Sequence, residues 1–247
     1  MTTPGPEFIG AGQSGLVYKL SASIVAKYPH SDPKSEREIE FERTVFKRLG
    51  HHPRIVGYAG SRDLDILLEY HARGTLKRLI QSDAEIPLFK WVEQITEGLE
   101  YLHQNGIIHC DTSTSNVLVT RNSDVVLCDF AGSSIDGQRL SSVSYEQRCL
   151  RRHDYSTDFT VKDDLFALGT VIYELSTRRR PYDGKTDEEV RRLYKEGKFA
   201  DVSGIMMGNI INKCWHAGYE SAAEVLADIR KAFSRVQFQD ILINYLD

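Results

Sequence analysis

The sequence is poor in the features that mark several protein classes. It has four cysteines in 247 residues, Cys110, Cys128, Cys149 and Cys214. Their spacing matches neither a zinc knuckle nor a CxxC redox pair, so they read as reduced thiols of an intracellular protein, cytoplasmic or nuclear. The longest apolar run, near Leu165 to Leu175, is too short to span a bilayer. The opening Met1-Thr2-Thr3-Pro4-Gly5-Pro6 has neither a basic region nor an apolar core, so no signal peptide is expected. Internal repeats and low-complexity segments are lacking too. The net charge of -4 gives no general attraction to nucleic acid or an anionic membrane, and neither is expected as a partner.

What remains is an ordinary globular composition, with 41% hydrophobic and 27% charged residues. The length suits one large domain or two closely packed lobes. The most informative stretch is Ile107 to Asp129. Val117-Leu118-Val119 and Val125-Val126-Leu127 read as the arms of a hairpin, with Arg121-Asn122-Ser123-Asp124 as its turn. A polar loop carrying Asp111 and Asn116 enters the first arm, and Asp129 leaves the second. A hairpin brings its outer ends together, so these three side chains are expected to converge. Such a group suits a hard cation such as Mg2+ and a base for a hydroxyl proton. The plainer alternative is that Asp111 and Asn116 are turn residues and Asp129 caps a loop.

Upstream, Phe8 to Gly10 and Leu16 to Leu20 read as strands joined by the loop Gly10-Ala11-Gly12-Gln13-Ser14-Gly15. Glycines at 10, 12 and 15 let backbone amides approach phosphate oxygens. A dinucleotide-binding fold places a helix directly after such a loop, whereas a strand follows here. Ile24 to Tyr28 is the next strand. Its one charge, Lys27, is either a lysine snorkelling at a strand edge or a phosphate ligand facing the glycine loop. Ser35 to Leu49 has helical spacing and stops at Gly50; Glu42 on it can pair with Lys27. Ile55 to Tyr58 and Asp65 to Tyr70 read as two more strands. From Gly74 the pattern becomes helical: a short helix near Leu76 to Ile80, then Leu88 to His103. A long polar segment, Gly132 to Asp158, follows the hairpin. Helices are expected over Val161 to Thr177, the most apolar, then Lys185 to Gly197, Gly204 to Trp215 and Glu220 to Phe233. The tail, Val236 to Asp247, has an amphipathic look and is expected to pack on the helical lobe.

Taken in order, the glycine loop, strand lysine, helix glutamate, His109-Cys110-Asp111 loop with Asn116, Asp129-Phe130-Ala131-Gly132, the Asp164 to Gly169 run and Cys214-Trp215 resemble the eukaryotic protein kinase domain. The resemblance covers nearly the whole chain. It implies an α+β, bilobal fold: a small β-rich N-lobe with one long helix, about 1–71, and a larger helical C-lobe, about 72–247, in a single domain over 1–247. It also implies ATP and Mg2+ as cofactors, a protein substrate with a Ser/Thr acceptor, and serine/threonine-protein kinase activity. Gly10, Ala11, Gly12, Gln13, Ser14 and Gly15 are then expected over the phosphates. Lys27 meets the α/β-phosphates, held by Glu42. Leu68 is the gatekeeper, and Glu69 and His71 meet the adenine, which Val17, Ala26 and Leu118 sandwich. Asp111 accepts the hydroxyl proton, and Asn116 and Asp129 hold magnesium. Phe46, Tyr58, His109 and Phe130 form a stack coupling the lobes. For those four and for Val17, Ala26 and Leu118, simple packing is an equal alternative.

Departures from the family pattern carry their own expectations. Cys110 replaces the arginine that an activation-segment phosphate normally neutralises, so activity is expected not to need phosphorylation at Ser141, Ser142, Ser144 or Tyr145. Ser113 and Ser115 stand where Ser/Thr and tyrosine kinases carry a loop cation. Arg148, Arg151 or Lys162 are candidates to compensate; otherwise the chain is a slow kinase or a nucleotide-binding pseudokinase used as a scaffold. Ala131 is expected to stiffen the metal-binding turn by disfavouring positive φ. A structural ion pair is expected with its charges exchanged, Arg152 or Arg151 with Glu220. Arg148, Arg151 and Arg152 also hint at acidic surroundings in the substrate. The loop Asp111 to Asn116 somewhat resembles the small atypical kinase subunit of the KEOPS complex, but the intact glycine loop, long activation segment and full set of helices argue against that reading.

Overall fold

The computed structural model describes residues 5–140, 146–151 and 158–246, with side chains to 236. Ser141, Ser142, Ser144, Tyr145 and Arg152 therefore lie outside the described residues, as do half of the segment 143–154 and the side chains of the tail beyond 236.

The N-terminal part is an antiparallel sheet in the order β1-β2-β3-β5-β4. Its strands are β1 (Glu7–Ala11), β2 (Leu16–Lys19), β3 (Ile24–Tyr28), β4 (Tyr58–Arg62) and β5 (Asp65–Glu69). Helix α1 (Pro33–Leu49) packs against it. It begins two residues before the expected Ser35, because the Asp32 side chain accepts the Lys34 and Ser35 amides and Pro33 fits the first turn. Glu38, Ile39, Glu42, Val45, Phe46 and Leu49 share its buried face. Gly50, at φ 60°, ends it.

One strand differs from expectation. Ile55 and Val56 do not join the sheet, and β4 starts only at Tyr58. Ile55 instead bridges Leu127 in parallel, while the Val56 amide donates to the Leu127 carbonyl at 2.9 Å. The two buried side chains serve the junction between the two halves of the molecule.

The rest is mainly helical: α2 (Leu76–Ile80), α3 (Leu88–Gln104), α4 (Val161–Thr177), α5 (Asp187–Lys195), α6 (Gly208–Trp215) and α7 (Ala222–Leu246). Helix α7 continues past the expected end at Phe233 and runs on through the tail to Leu246. The hairpin β7 (Val117–Val119) and β8 (Val125–Leu127) forms as expected. The polar segment after it is not featureless. It contributes β9 (Ser134–Ile135), which pairs with β6 (Ile107–Ile108) and β10 (Gln138–Arg139), and later a 3-10 turn over Gln147–Cys149.

Helix α4 is the buried axis of this half. It approaches α6 so closely that a Cβ on Gly169 would lie 2.7 Å from the Cys214 Cβ. Its first turn carries Asp164, 1% exposed, which accepts the His109 and Cys110 amides at 2.8 and 2.9 Å and bonds His103 Nε2 at 2.9 Å. Cys110 sits at φ 67°, a left-handed conformation that costs a side-chain-bearing residue about 1–3 kcal/mol. Asp164 holds that backbone in place and so sets the direction of the next residue, Asp111.

Candidate active site

The site lies where the sheet meets the hairpin. Lys27 is 5% exposed on β3, and its ammonium donates to Glu42 Oε2 and to Asp129 Oδ1, each at 2.7 Å. The other Glu42 oxygen accepts the Phe130 amide at 3.0 Å. Burial opposes the Lys27 charge, but the carboxylates of Asp129 and Glu42 outweigh it and hold its pKa above the ordinary lysine value. Burial likewise opposes the Asp129 charge, and the Lys27 ammonium outweighs it and holds that pKa low. Burial pushes the Glu42 pKa up, against the pull of the Lys27 ammonium; the three groups, from β3, α1 and the end of the hairpin, form one linked unit.

Asp111 faces the same space. Its Oδ2 accepts Asn116 Nδ2 at 2.8 Å, and its Oδ1 accepts the Glu146 amide at 3.3 Å. Burial and the neighbouring Asp129 charge push its pKa up to about 7. The Asn116 amide nitrogen also donates to the Asp111 carbonyl at 2.8 Å, which leaves Asn116 Oδ1 as an acceptor without a hydrogen bond among the described residues. Gln13, Ser14, Glu38, Asp111, Asp129, Ala131 and Gly132 line a cavity of about 150 Å³ between glycine loop and hairpin. The sequence pattern pointed to six of these seven residues and missed Glu38. That carboxylate is 1% exposed, with Oε1 lacking a hydrogen-bond partner among the described residues. Its helical spacing of four from Glu42 was the available signal.

The glycine loop closes on itself through the Gly12 amide and the Gly15 carbonyl at 2.8 Å. Only Gly15 is demanded by the protein's own packing: a Cβ there would lie 2.1 Å from the Tyr28 carbonyl oxygen. Gly10 has open space, and Gly12 has only ordinary contact. Their small size is free to serve something outside the chain. His30, unremarked in the sequence, sits 3.0 Å from the Gly12 carbonyl and steadies the loop. Leu68 is buried on β5 opposite Val25, and Ala26 is fully buried on β3. Val17 and Leu118 are half-buried, on β2 and β7. Glu69 is exposed, and His71 is buried with its Nε2 3.9 Å from Glu69.

An aromatic column runs behind the site. Tyr58 stacks on Phe46 with centroids 5.2 Å apart, Phe46 meets Phe130 edge-on at 5.3 Å, and Phe130 meets His109 at 5.2 Å. The four residues expected to stack do so, across both halves of the molecule.

A model of the protein kinase domain matches residues 6–229. The chain belongs to the protein kinase family. The kinase is 29% identical over 195 residues to the serine/threonine-protein kinase RUNKEL of Arabidopsis thaliana, across 71% of this chain and 14% of that protein. It is 28% identical over 191 residues to the mitogen-activated protein kinase kinase kinase dlk-1 of Caenorhabditis elegans, across 71% of this chain and 20% of that one. Integrin-linked protein kinase 1 of Arabidopsis thaliana is 26% identical over 250 residues, 88% of this chain and 49% of that protein. The chain thus spans less than half the length of each of these relatives. Among the described residues, no helix of this kinase is long and apolar enough to cross a membrane.

The structure bears on four of the departures. The cations proposed to replace the missing loop lysine are engaged elsewhere. Arg148 is 1% exposed and bonded to the Pro181 and Lys185 carbonyls and to Asp187. Arg151 pairs with Asp163 at 3.0 Å, and Lys162 with Glu220 at 2.7 Å. The latter two contacts take Arg151 to Asp163 and Glu220 to Lys162 of α4, so Arg151 is not the partner of Glu220; Arg152, the other candidate, lies outside the described residues. Ala131 brings no strain, because the positive φ of this turn falls on Asp129, at 64°. Cys110 packs with Leu150, Ile108 and Phe159 in a small apolar cluster.

Proposed function

We propose that this kinase transfers the γ-phosphate of ATP to serine or threonine hydroxyls of protein substrates, with Mg2+. The observation that carries the reading is Lys27 held at 2.7 Å from both Glu42 and Asp129, with Asp129 lining the same cavity as Asp111. When bound, ATP and Mg2+ supply the phosphoryl group and the cation that offsets its charge. The residues present fit them. Among the described residues no cluster of three His, Cys, Asp or Glu forms a metal site alone. That suits magnesium, which takes few protein ligands and completes its shell with water and phosphate oxygens. Asp129 and Oδ1 of Asn116 are the ligands. The amides of the loop Gly10 to Gly15 cover phosphate oxygens, and Lys27 neutralises them. Leu68, Glu69 and His71 border the base, and Val17, Ala26 and Leu118 pack on its faces. Asp111 takes the proton of the acceptor hydroxyl.

A second reading has a specific observation in its favour. Ser113 leaves the loop without a cation, and Arg148, Arg151 and Lys162 do not replace it. A nucleotide-binding scaffold has no need of that charge. Calorimetric titration with Mg-ATP, followed on the same sample by radiolabelled transfer to a generic protein, separates the two. Binding with transfer that Asp111→Asn abolishes supports the enzyme. Binding with no transfer supports the scaffold, and no binding rejects both.

A further inference from the structure

A larger cavity, about 440 Å³, opens on the other side of the catalytic loop, lined by Lys77, Ser113, Ser115, Glu174, Arg179 and Arg180 among others. It adjoins the proposed base directly. Glu146 lines it too, and the Glu146 amide is the one that donates to Asp111 Oδ1 at 3.3 Å. The short side chains of Ser113 and Ser115 leave the space.

The charges in it are not equally available. Arg178 is spent on the Ser82 and Ala84 carbonyls, each at 2.6 Å. Glu174 is 7% exposed and accepts the Thr114 hydroxyl at 2.7 Å, and burial pushes its pKa up. Arg180 lies 4.0 Å from Asp183, with both side chains at least half exposed. The Glu146 carboxylate lies 4.0 Å from buried Arg148. Lys77 and Arg179 are exposed and form no salt bridge among the described residues. The backbone of Lys77 is fixed by its amide donating to the Thr114 carbonyl at 2.8 Å. The charges with least competition are therefore two cations, with a third loosely held.

We infer that this cavity reads an acidic side chain of the protein substrate, a carboxylate or a phosphorylated residue, within about three residues of the acceptor hydroxyl. The cavity adjoins Asp111 through Glu146, and extended chain advances ~3.3 Å per residue, so an acidic side chain seated in it lies a few residues from the acceptor. The inference rests on the phosphotransferase reading, and its test is kept separate from it.

The test uses three fluorescent peptides with one serine acceptor, flanked by aspartates, by lysines or by phosphoserine. Binding to the whole chain is read by anisotropy at low salt, and phosphate transfer is measured in parallel. The aspartate peptide is expected to bind about fivefold tighter than the lysine peptide, the size two exposed ion pairs supply, and the gap should shrink in salt. The double variant Lys77→Glu/Arg179→Glu should reverse the order. The milder Lys77→Gln/Arg179→Gln should erase it, and serves if the reversal fails to fold. Phosphoserine above or level with aspartate supports the inference either way and tells which anion is preferred. Equal binding, a lysine preference, no binding, or a preference that neither variant moves overturns it. An acid preference without transfer upholds the inference while rejecting the phosphotransferase reading; transfer without the preference does the reverse.

Discussion

At the scale of single residues, Asp111 is the group whose state decides the chemistry. A carboxyl with a pKa of about 7 is mostly protonated in mildly acidic solution and cannot take a proton there. Transfer at limiting ATP is therefore expected to rise with pH through about 7, since kcat/KM reports the free enzyme. The same shift has a stability consequence of definite sign. The folded state binds the Asp111 proton more tightly than the unfolded chain, so this residue lowers stability progressively from about pH 4 to pH 7. Asp111→Asn should then stabilise the chain at pH 8 by about 1–2 kcal/mol, a value discounted because the side chain is only half-buried, and by little at pH 4. Chemical denaturation at the two pH values checks this; a variant less stable than the parent at pH 8 contradicts the burial of the charge. Ser113 is the second decisive position. Restoring a cation there with Ser113→Lys should raise the transfer rate about ten- to a hundredfold if lost electrostatic stabilisation limits it. An unchanged rate would mean that the charge is already offset from elsewhere.

At the scale of elements, one buried arginine joins pieces that the sequence keeps apart. The Arg148 guanidinium bonds the Pro181 and Lys185 carbonyls at 3.1 and 2.8 Å and Asp187 at 2.5 Å. Its own carbonyl accepts Thr170 Oγ1 of α4 at 2.9 Å and the Tyr194 hydroxyl of α5 at 3.4 Å. The two kinds of partner of the guanidinium differ in worth. Asp187 is 59% exposed, so that ion pair contributes about 1 kcal/mol or less. The carbonyls need donors inside the protein. Arg148→Met should therefore cost about 3–5 kcal/mol and Asp187→Asn about 1 or less, measured by urea denaturation. Equal losses would show that the ion pair, rather than the carbonyls, is what Arg148 serves. This tie was not legible in the sequence, where Arg148 reads as one more charge in a polar segment. Elements with a clear period were legible: β3, α1, α3, α4 and the β7–β8 hairpin all fall where alternation or helical spacing put them. Strands β9 and β10 are too short for any period to show. Ile55 and Val56 look like a strand because they are buried and branched, but their partner is Leu127, far away in sequence. The column of Tyr58, Phe46, Phe130 and His109 was reached only through family resemblance, since nothing in spacing joins residues from a strand, a helix and two loops. Glu38 and Arg148 mark the same limit: burial of a charge is decided by tertiary packing.

At the scale of the whole molecule, the question is whether sheet and helices behave as two bodies or one. Val25, Ile66 and Phe46 from the sheet side belong to the same apolar cluster as Leu99, Val171 and Ile211 from the helical side. The aromatic column and the Lys27–Glu42–Asp129 unit cross the same junction, and the Val56 amide reaches the Leu127 carbonyl there at 2.9 Å. None of these links uses a phosphate. Where the family's arginine would meet one, Cys110 sits instead among Leu150, Ile108 and Phe159. The junction is therefore built into the unmodified chain, and heat should unfold both halves in a single transition. Phe130 is the residue on which this can be tested. It is fully buried, its ring touches Phe46 on one side and His109 on the other, and its amide binds Glu42. Phe130→Ala keeps the amide and removes the ring, at a cost of about 3–5 kcal/mol for a large-to-small change in a packed core. For a chain of this size that corresponds to a fall of about 10 °C in Tm. Calorimetry of parent and variant should show one peak in each, with the second displaced downward. If the column merely rests between two independently stable bodies, the variant will instead show two peaks, one of them at the parent temperature.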